Sequence, residues 1–328
     1  MKILSGDIGG TKTRLALFDT RNGELESLNE QTYPSRRYDS LDTVVRDFLE
    51  QIQIVPDAVG LGLAGPVKGR RCTTTNLPWT VDADRLESDL NIPNVALLND
   101  LEATAWGIGA LSEKDLITLQ KGLADPEGNR MIIAAGTGLG QAGIFRDGDH
   151  YRPFATEGGH CDFAPRNALE FELLSRLQQK YGHVSWERVV SGPGLVSIFE
   201  FLVDHEGVEV PGWLIDEMQS EDPAAAIYRA ANDEKDLVCT QTMTLFTRLY
   251  GAETGNQALK LMATGGVFIG GGIAPKIISW LKQPGFIEAF REKGQMRSLM
   301  DSMSIKVIMN DRTALSGAVL YVLSKQAP

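Results

Sequence analysis

An α/β protein built from two similar units is the fold class this sequence predicts, and three observations carry the reading. The chain has 328 residues, which is roughly two domains at about 150 residues each. Short apolar segments alternate with amphipathic ones along its length. A glycine-tipped hairpin pattern occurs twice. It runs through residues 2–4, a turn at 6–11 and residues 14–18, then again through 132–135, a turn at 136–140 and residues 142–145. Phe18 and Phe145 hold matching places 127 positions apart, well beyond the period of about 20–50 residues that marks a solenoid. A duplicated unit, with two domains facing each other across a central cleft, is the expected architecture.

The elements follow in order. After the first hairpin, apolar residues at 41, 44, 45, 48, 49 and 52 mark an amphipathic helix over Leu41–Ile52. Ala58–Leu63 is a buried-type strand, 95–98 a second strand, and 101–111 a helix. Past the second hairpin come a helix near 169–181 stopped by Gly182, another over 195–203, a long one over about 224–250, a glycine-bounded strand within 265–272 and a closing helix at 313–323. The expected domains are residues 1–110 with 312–328, and residues 111–311.

Composition excludes several classes of partner. Thirty-two basic against 43 acidic residues give a net charge of −11, which argues against nucleic acid and anionic membrane. Three cysteines, at 72, 161 and 239, form no CxxC pair, so a reducing cytoplasm is expected. No run of about 18 apolar residues appears, and the first seven residues reach Asp7 before any signal-type apolar stretch.

The motifs point to phosphate and polyol chemistry. Gly60, Gly62 and Gly65 match GxGxxG, but Pro66 follows where a dinucleotide site needs a helix start. The two hairpin tips are better candidates: Gly6, Gly9, Gly10 and Thr11 in one, Gly136, Thr137 and Gly138 in the other. Glycine lets backbone N–H groups approach a phosphate with no β-carbon in the way, although the same residues also serve plain tight turns. Asp7 is the candidate holder of Mg²⁺, through water. Asn99 and Asp100 stand where a strand gives way to a helix, a common ligand-facing place that is also an N-cap position. Glu157 and His160 share one glycine-rich loop and suit hydrogen bonding to a polyol better than zinc. Glu187 stands by itself near a helix start, and Cys161 reads as a small packing residue.

Six segments together, 6–11, 98–100, 136–140, 157–160, 191–194 and 265–273, resemble in order the motifs of the bacterial glucokinase family across nearly the whole chain. The resemblance implies two RNase H-like (actin-like ATPase) domains around a cleft. It implies ATP with Mg²⁺ as the phosphoryl donor, bound by the two glycine tips with Gly192, Gly194, Gly270 and Gly271 nearby. It further implies glucose held by Asn99, Asp100, Glu157, His160 and Glu187, with Asp100 as general base, and a cytoplasmic homodimer. Lys12 stands where members often carry Asn; Lys at that point is also seen in the wider ROK sugar kinases, but the ROK zinc signature is absent. A kinase of mannose, fructose or an N-acetylated sugar, and a non-catalytic sugar-responsive regulator, are the alternatives.

Overall fold

A computed structural model describes residues 1–123 and 125–326. Its strands, in chain order, are β1 (Lys2–Ile8), β2 (Lys12–Asp19), β3 (Glu26–Pro34), β4 (Ala58–Leu63), β5 (Val67–Lys68), β6 (Arg71–Thr73), β7 (Thr80–Asp82), β8 (Val95–Asn99), β9 (Leu116–Gln120), β10 (Arg130–Ala135), β11 (Leu139–Asp147), β12 (His150–Thr156), β13 (Gly266–Gly270) and β14 (Ile305–Ile308). They form one sheet in the order β3-β2-β1-β4-β8, a second in the order β12-β11-β10-β13-β14-β9, and a small sheet β5-β6-β7.

The internal repeat is a repeat of topology. In each large sheet the glycine hairpin is antiparallel, β1 with β2 and β10 with β11, and its first strand pairs in parallel on the other side, β1 with β4 and β10 with β13. A further parallel strand follows in both, β8 and β14. The tips are shorter than the sequence suggests. Pairing of Asp7 with Arg14 and Ile8 with Thr13 extends β1, so the first tip is Gly9-Gly10-Thr11; Ala135 with Leu139 leaves Gly136-Thr137-Gly138 as the second. Phe18 and Phe145 match in position but not in burial, at 3% and 51% exposure.

Cα packing divides the chain into two units. The first comprises Met1–Asp115, Arg152–Ala155 and the residues from Asn310 onward; the second comprises Leu116–Tyr151 and Thr156–Met309. Alternation along β1 and β2 sends side chains to opposite faces. Leu4, Ile8, Leu15 and Leu17 pack with Leu41, Val44, Val45 and Phe48 of the helix Leu41–Ile52. Ile3, Ala16 and Phe18 pack with Leu315, Val319 and Val322 of the helix Thr313–Ser324. The second unit has one large core, in which Met131 and Ile133 of β10 and Val267 and Ile269 of β13 join Ile198, Phe246, Tyr250 and Phe286.

Two expected helices are corrected, and the GxGxxG segment finds its use in packing. The long helix over 224–250 is two helices, Pro223–Asn232 and Leu237–Leu261. Glu234 at φ 56° ends the first, and the Asp236 carboxylate caps the second by accepting the Cys239 N–H at 2.8 Å. The helix over 195–203 begins earlier, at Gly192, and runs to Glu206. The GxGxxG residues serve packing: a β-carbon on Gly60 would lie 2.5 Å from the Ala318 carbonyl oxygen, and one on Gly62 would lie 2.9 Å from the Ala103 β-carbon.

Candidate active site

In the first unit the site is built on the end of β1. The tip is tied down by Ser35, whose Oγ donates to the Gly9 carbonyl at 2.8 Å and whose N–H donates to the Thr11 carbonyl at 3.0 Å. Gly9 N–H closes the turn onto Lys12 O at 2.9 Å. Gly6 is not in this tip; it is a buried residue of β1 whose β-carbon position is crowded by Ile8, Leu15 and Leu61.

Asp7 faces Arg14 across the hairpin. Arg14 is shared among acids, donating to the Asp311 carboxylate at 2.9 Å and lying 3.8 Å from Glu30. Its charge therefore only partly offsets the field at Asp7. Burial first, then the negative charge of Asp100, push the Asp7 carboxyl from 3.8 up to about 6, with Asp311 adding to the rise and Arg14 opposing it. Arg14 and Asp311 were not singled out from the sequence. Arg14 was legible from the register of a hairpin with its tip at 9–11, whereas Asp311 is about 300 residues away and carried no local signal.

Asn99 and Asp100 occupy the junction of β8 with the helix Asp100–Gly107. Asn99 is the cap: its Oδ1 accepts the N–H groups of Leu101 at 3.0 Å and Glu102 at 3.4 Å, and its amide donates to Gly65 O at 3.3 Å. Asp100 is the first helical residue, and its Oδ1 accepts the Leu101 N–H at 2.8 Å. With the capping done by Asn99, the carboxylate of Asp100 sits in the positive field of a helix start.

In the second unit three glycine segments converge at the end of β10. The tip closes through Gly136 N–H to Gly138 O at 2.9 Å, and Gly192 N–H donates to Gly136 O at 2.8 Å. Gly192 opens a 15-residue helix capped by Ser191, whose Oγ accepts the Gly194 N–H at 3.0 Å. Gly194 is thereby engaged inside the cap. Gly270 ends β13, and Gly271, at φ 82°, turns the chain so closely over Ala135 that a β-carbon would lie 2.4 Å from its carbonyl oxygen. A β-carbon on Gly136 or Gly272 would meet no heavy atom within 4 Å. Open space bounded by backbone and a helix N-terminus is a cradle for an anion. Thr137 is exposed at the tip.

The acid and imidazole of the second unit lie on neighbouring turns. Glu157 precedes the 3-10 turn Gly158–His160 and His160 ends it, with 4.0 Å between His160 Nε2 and Glu157 Oε2, and both side chains are exposed. The turn carrying Glu187 is stitched to this loop by Trp186 N–H to Cys161 O at 3.0 Å. Glu187 Oε2 accepts the Leu139 N–H at 2.9 Å, so one carboxylate joins the glycine tip to the acid and imidazole loop. Cys161, expected to pack, is exposed.

The residues fit Mg²⁺ in one respect. Among the described residues no group of three or more His, Cys, Asp or Glu side chains forms a protein-only metal cage. Mg²⁺ instead keeps waters and needs one or two carboxylates plus substrate phosphates. Asp7, crowded by Asp100 and Asp311, is such a carboxylate.

Two units with one strand order, each bearing a glycine tip on its first hairpin, define the two-domain actin-like ATPase fold. The comparisons narrow the class. The family model for glucokinase matches residues 4–325. A glucokinase of Trichormus variabilis is 43% identical over 334 residues, covering 97% of this chain and 98% of that one. The crystal structure of a glucokinase from an Antarctic psychrotroph superposes with a TM-score of 0.86 at 31% identity, covering 98% of this chain and 99% of that one. A ROK family glucokinase from Streptomyces griseus, in complex with glucose and AMPPNP, shares the fold at a TM-score of 0.66 and 21% identity, with 100% of both chains covered. The chain belongs to the glucokinase family.

Proposed function

We propose that this protein transfers the γ-phosphoryl group of ATP to the 6-hydroxyl of glucose, with Asp100 as general base. The observation that carries the reading is the placement of Asp100 at a helix start whose cap is supplied by its neighbour, Asn99. Its carboxylate accepts the proton of the sugar hydroxyl as that oxygen attacks phosphorus in line. Asn99, Glu157, His160 and Glu187 hydrogen-bond the remaining sugar hydroxyls and fix which oxygen attacks. The tips Gly9-Gly10-Thr11 and Gly136-Thr137-Gly138 hold the phosphates by backbone N–H groups, supported by Gly192 and the Gly270–Gly271 turn. Asp7 would hold Mg²⁺, which when bound neutralises charge on the phosphoryl oxygens.

A cytoplasmic homodimer completes the reading. The three cysteines, Cys72, Cys161 and Cys239, are unpaired, as suits a reducing compartment, and light scattering tests the dimer. The activity is tested by ADP release from MgATP with glucose, mannose, fructose and N-acetylglucosamine. Release with glucose far above the others is the expected result. Release with another sugar moves the substrate, and silence with all of them overturns the reading.

A further inference from the structure

Behind the Glu157–His160 loop lies a row of buried polar groups to which the reaction described above assigns no part. Glu253, in the middle of the helix Leu237–Leu261, is 1% exposed, and Gln141 of β11 is 4% exposed. A carboxylate removed from water needs several hydrogen bonds to remain charged. Glu253 has them: Gln141 Nε2 donates to one oxygen at 2.7 Å and Asn256 Nδ2 to the other at 3.0 Å. Asn256 is oriented in turn by Lys293, whose Nζ donates to its Oδ1 at 2.7 Å and to the Ala252 carbonyl at 2.9 Å.

The ionised form of Glu253 sets the order of donors along this row; burial pushes its carboxyl up, and the Gln141 and Asn256 amides with Lys260 and Lys293 oppose that rise. An ammonium only donates and a carboxylate only accepts, so each amide between them has one orientation. Gln141 must give its NH₂ to Glu253, which turns its Oε1 toward the loop. There it meets Gly158: a β-carbon on that residue would lie 2.1 Å from Gln141 Oε1. The loop backbone therefore rests on a buried amide whose other end is hydrogen-bonded to Glu253. The main chain of Gln141 adds a second hold, since its carbonyl accepts the Thr156 hydroxyl at 3.0 Å and that hydroxyl accepts the Gly158 N–H at 3.3 Å.

We propose that Gln141 and Glu253 are a buried positioning pair that sets the placement of Glu157 and His160 and thereby the affinity for sugar, leaving the nucleotide site unaffected. The inference rests on the proposed function only for its ligand. Neither residue touches substrate; both act through the loop. Directly bonded buried groups are coupled, and a change of about tenfold in the sugar constant, about 1.4 kcal/mol, is the expected scale.

The test exchanges the pair. Gln141→Glu alone opposes two carboxylates and should raise the glucose KM about tenfold while the ATP KM stays within about twofold. Adding Glu253→Gln rebuilds the bond with donor and acceptor reversed and should bring the glucose KM back to within about threefold of wild type. Should the single variant fail to fold, Glu253→Gln by itself keeps the volume but removes the charge and sets an NH₂ against one of the two donors that Glu253 accepts, and hydrogen exchange at the amides of Gly158, Gly159, His160 and Cys161 should speed up in the substrate-free protein. A glucose KM that stays at the wild-type value, or that rises in step with the ATP KM, overturns the proposal, as does unchanged exchange in Glu253→Gln. The exchange readout needs no turnover. A wild type that phosphorylates no hexose would therefore sink the proposed function while leaving the positioning pair to be judged on the loop amides.

Discussion

Replacing Asp7 with Asn should stabilise the substrate-free protein while abolishing its activity. The magnitude follows from the charge environment. Burial and Asp100 move the Asp7 carboxyl from 3.8 to about 6, and each pH unit of displacement corresponds to about 1.4 kcal/mol. The folded state therefore binds this proton more tightly than the unfolded chain. Between about pH 4 and pH 6 the native state holds more protons, so stability falls as pH rises through that window and levels off above it. At pH 8 the ionised side chain costs the fold roughly 3 kcal/mol, and at pH 5 about half of that. Asparagine has the same shape without the charge. In urea denaturation without divalent cations, Asp7→Asn should unfold at higher urea than wild type at pH 8, with the gap narrowing toward pH 5. Added Mg²⁺ should raise the wild-type midpoint and leave the variant unchanged, because only the carboxylate gains from a cation. A variant less stable than wild type at pH 8, or a gap independent of pH, would refute the electrostatic account.

Three further outcomes follow from the two units. Glu157→Gln and His160→Ala should each raise the glucose KM by about five- to tenfold in steady-state assays, since a lost hydrogen bond to a bound hydroxyl is worth roughly 1–1.5 kcal/mol; near-normal sugar constants would remove them from the site. Gly136→Val should leave the thermal midpoint within a few degrees of wild type, because its β-carbon position is open, yet raise the ATP KM at least about tenfold by filling the cradle. An unchanged ATP KM would make the tip a turn and nothing more. Gly138→Ala should act differently, since its β-carbon would lie 2.5 Å from Glu187 Oε2 and the carboxylate must let go of the Leu139 N–H. Both the glucose and the ATP constants should rise, and an effect on the nucleotide alone would contradict the role given to Glu187.

The parts of the fold that were legible are those whose burial leaves a period. The helix Leu41–Ile52 and the strand Ala58–Leu63 came out at their own bounds, because one buries a single stripe and the other is buried throughout. β3 did not, since an edge strand with mostly exposed Glu, Asn, Gln and Thr has no apolar alternation to read. Strands of two and three residues in the small sheet are shorter than any periodicity window. The break at Glu234 was hidden inside an Ala-rich, helix-compatible stretch, and only the cap at Asp236 marks it. In the site, the tips and the Asn99-Asp100 junction were visible because glycine clusters and strand ends are local signals. Arg14 follows from the hairpin register, whereas Asp311 comes near Asp7, and Gln141 and Glu253 come behind the Glu157–His160 loop, through tertiary packing that one sequence does not display. Gly6 was misplaced for the converse reason: a glycine next to a turn reads as part of it, and only the side chains of Leu15 and Leu61 show that it serves the sheet.

The most direct test of the central claim is turnover by Asp100→Asn at saturating glucose and MgATP, with glucose binding to the same variant measured by calorimetry. General-base assistance contributes about 10²–10⁴ in rate. The account predicts a loss of kcat of that size with glucose still bound within several-fold of the wild-type affinity. Turnover within about tenfold of wild type would contradict it, and the proton of the sugar hydroxyl would then have to leave by another group.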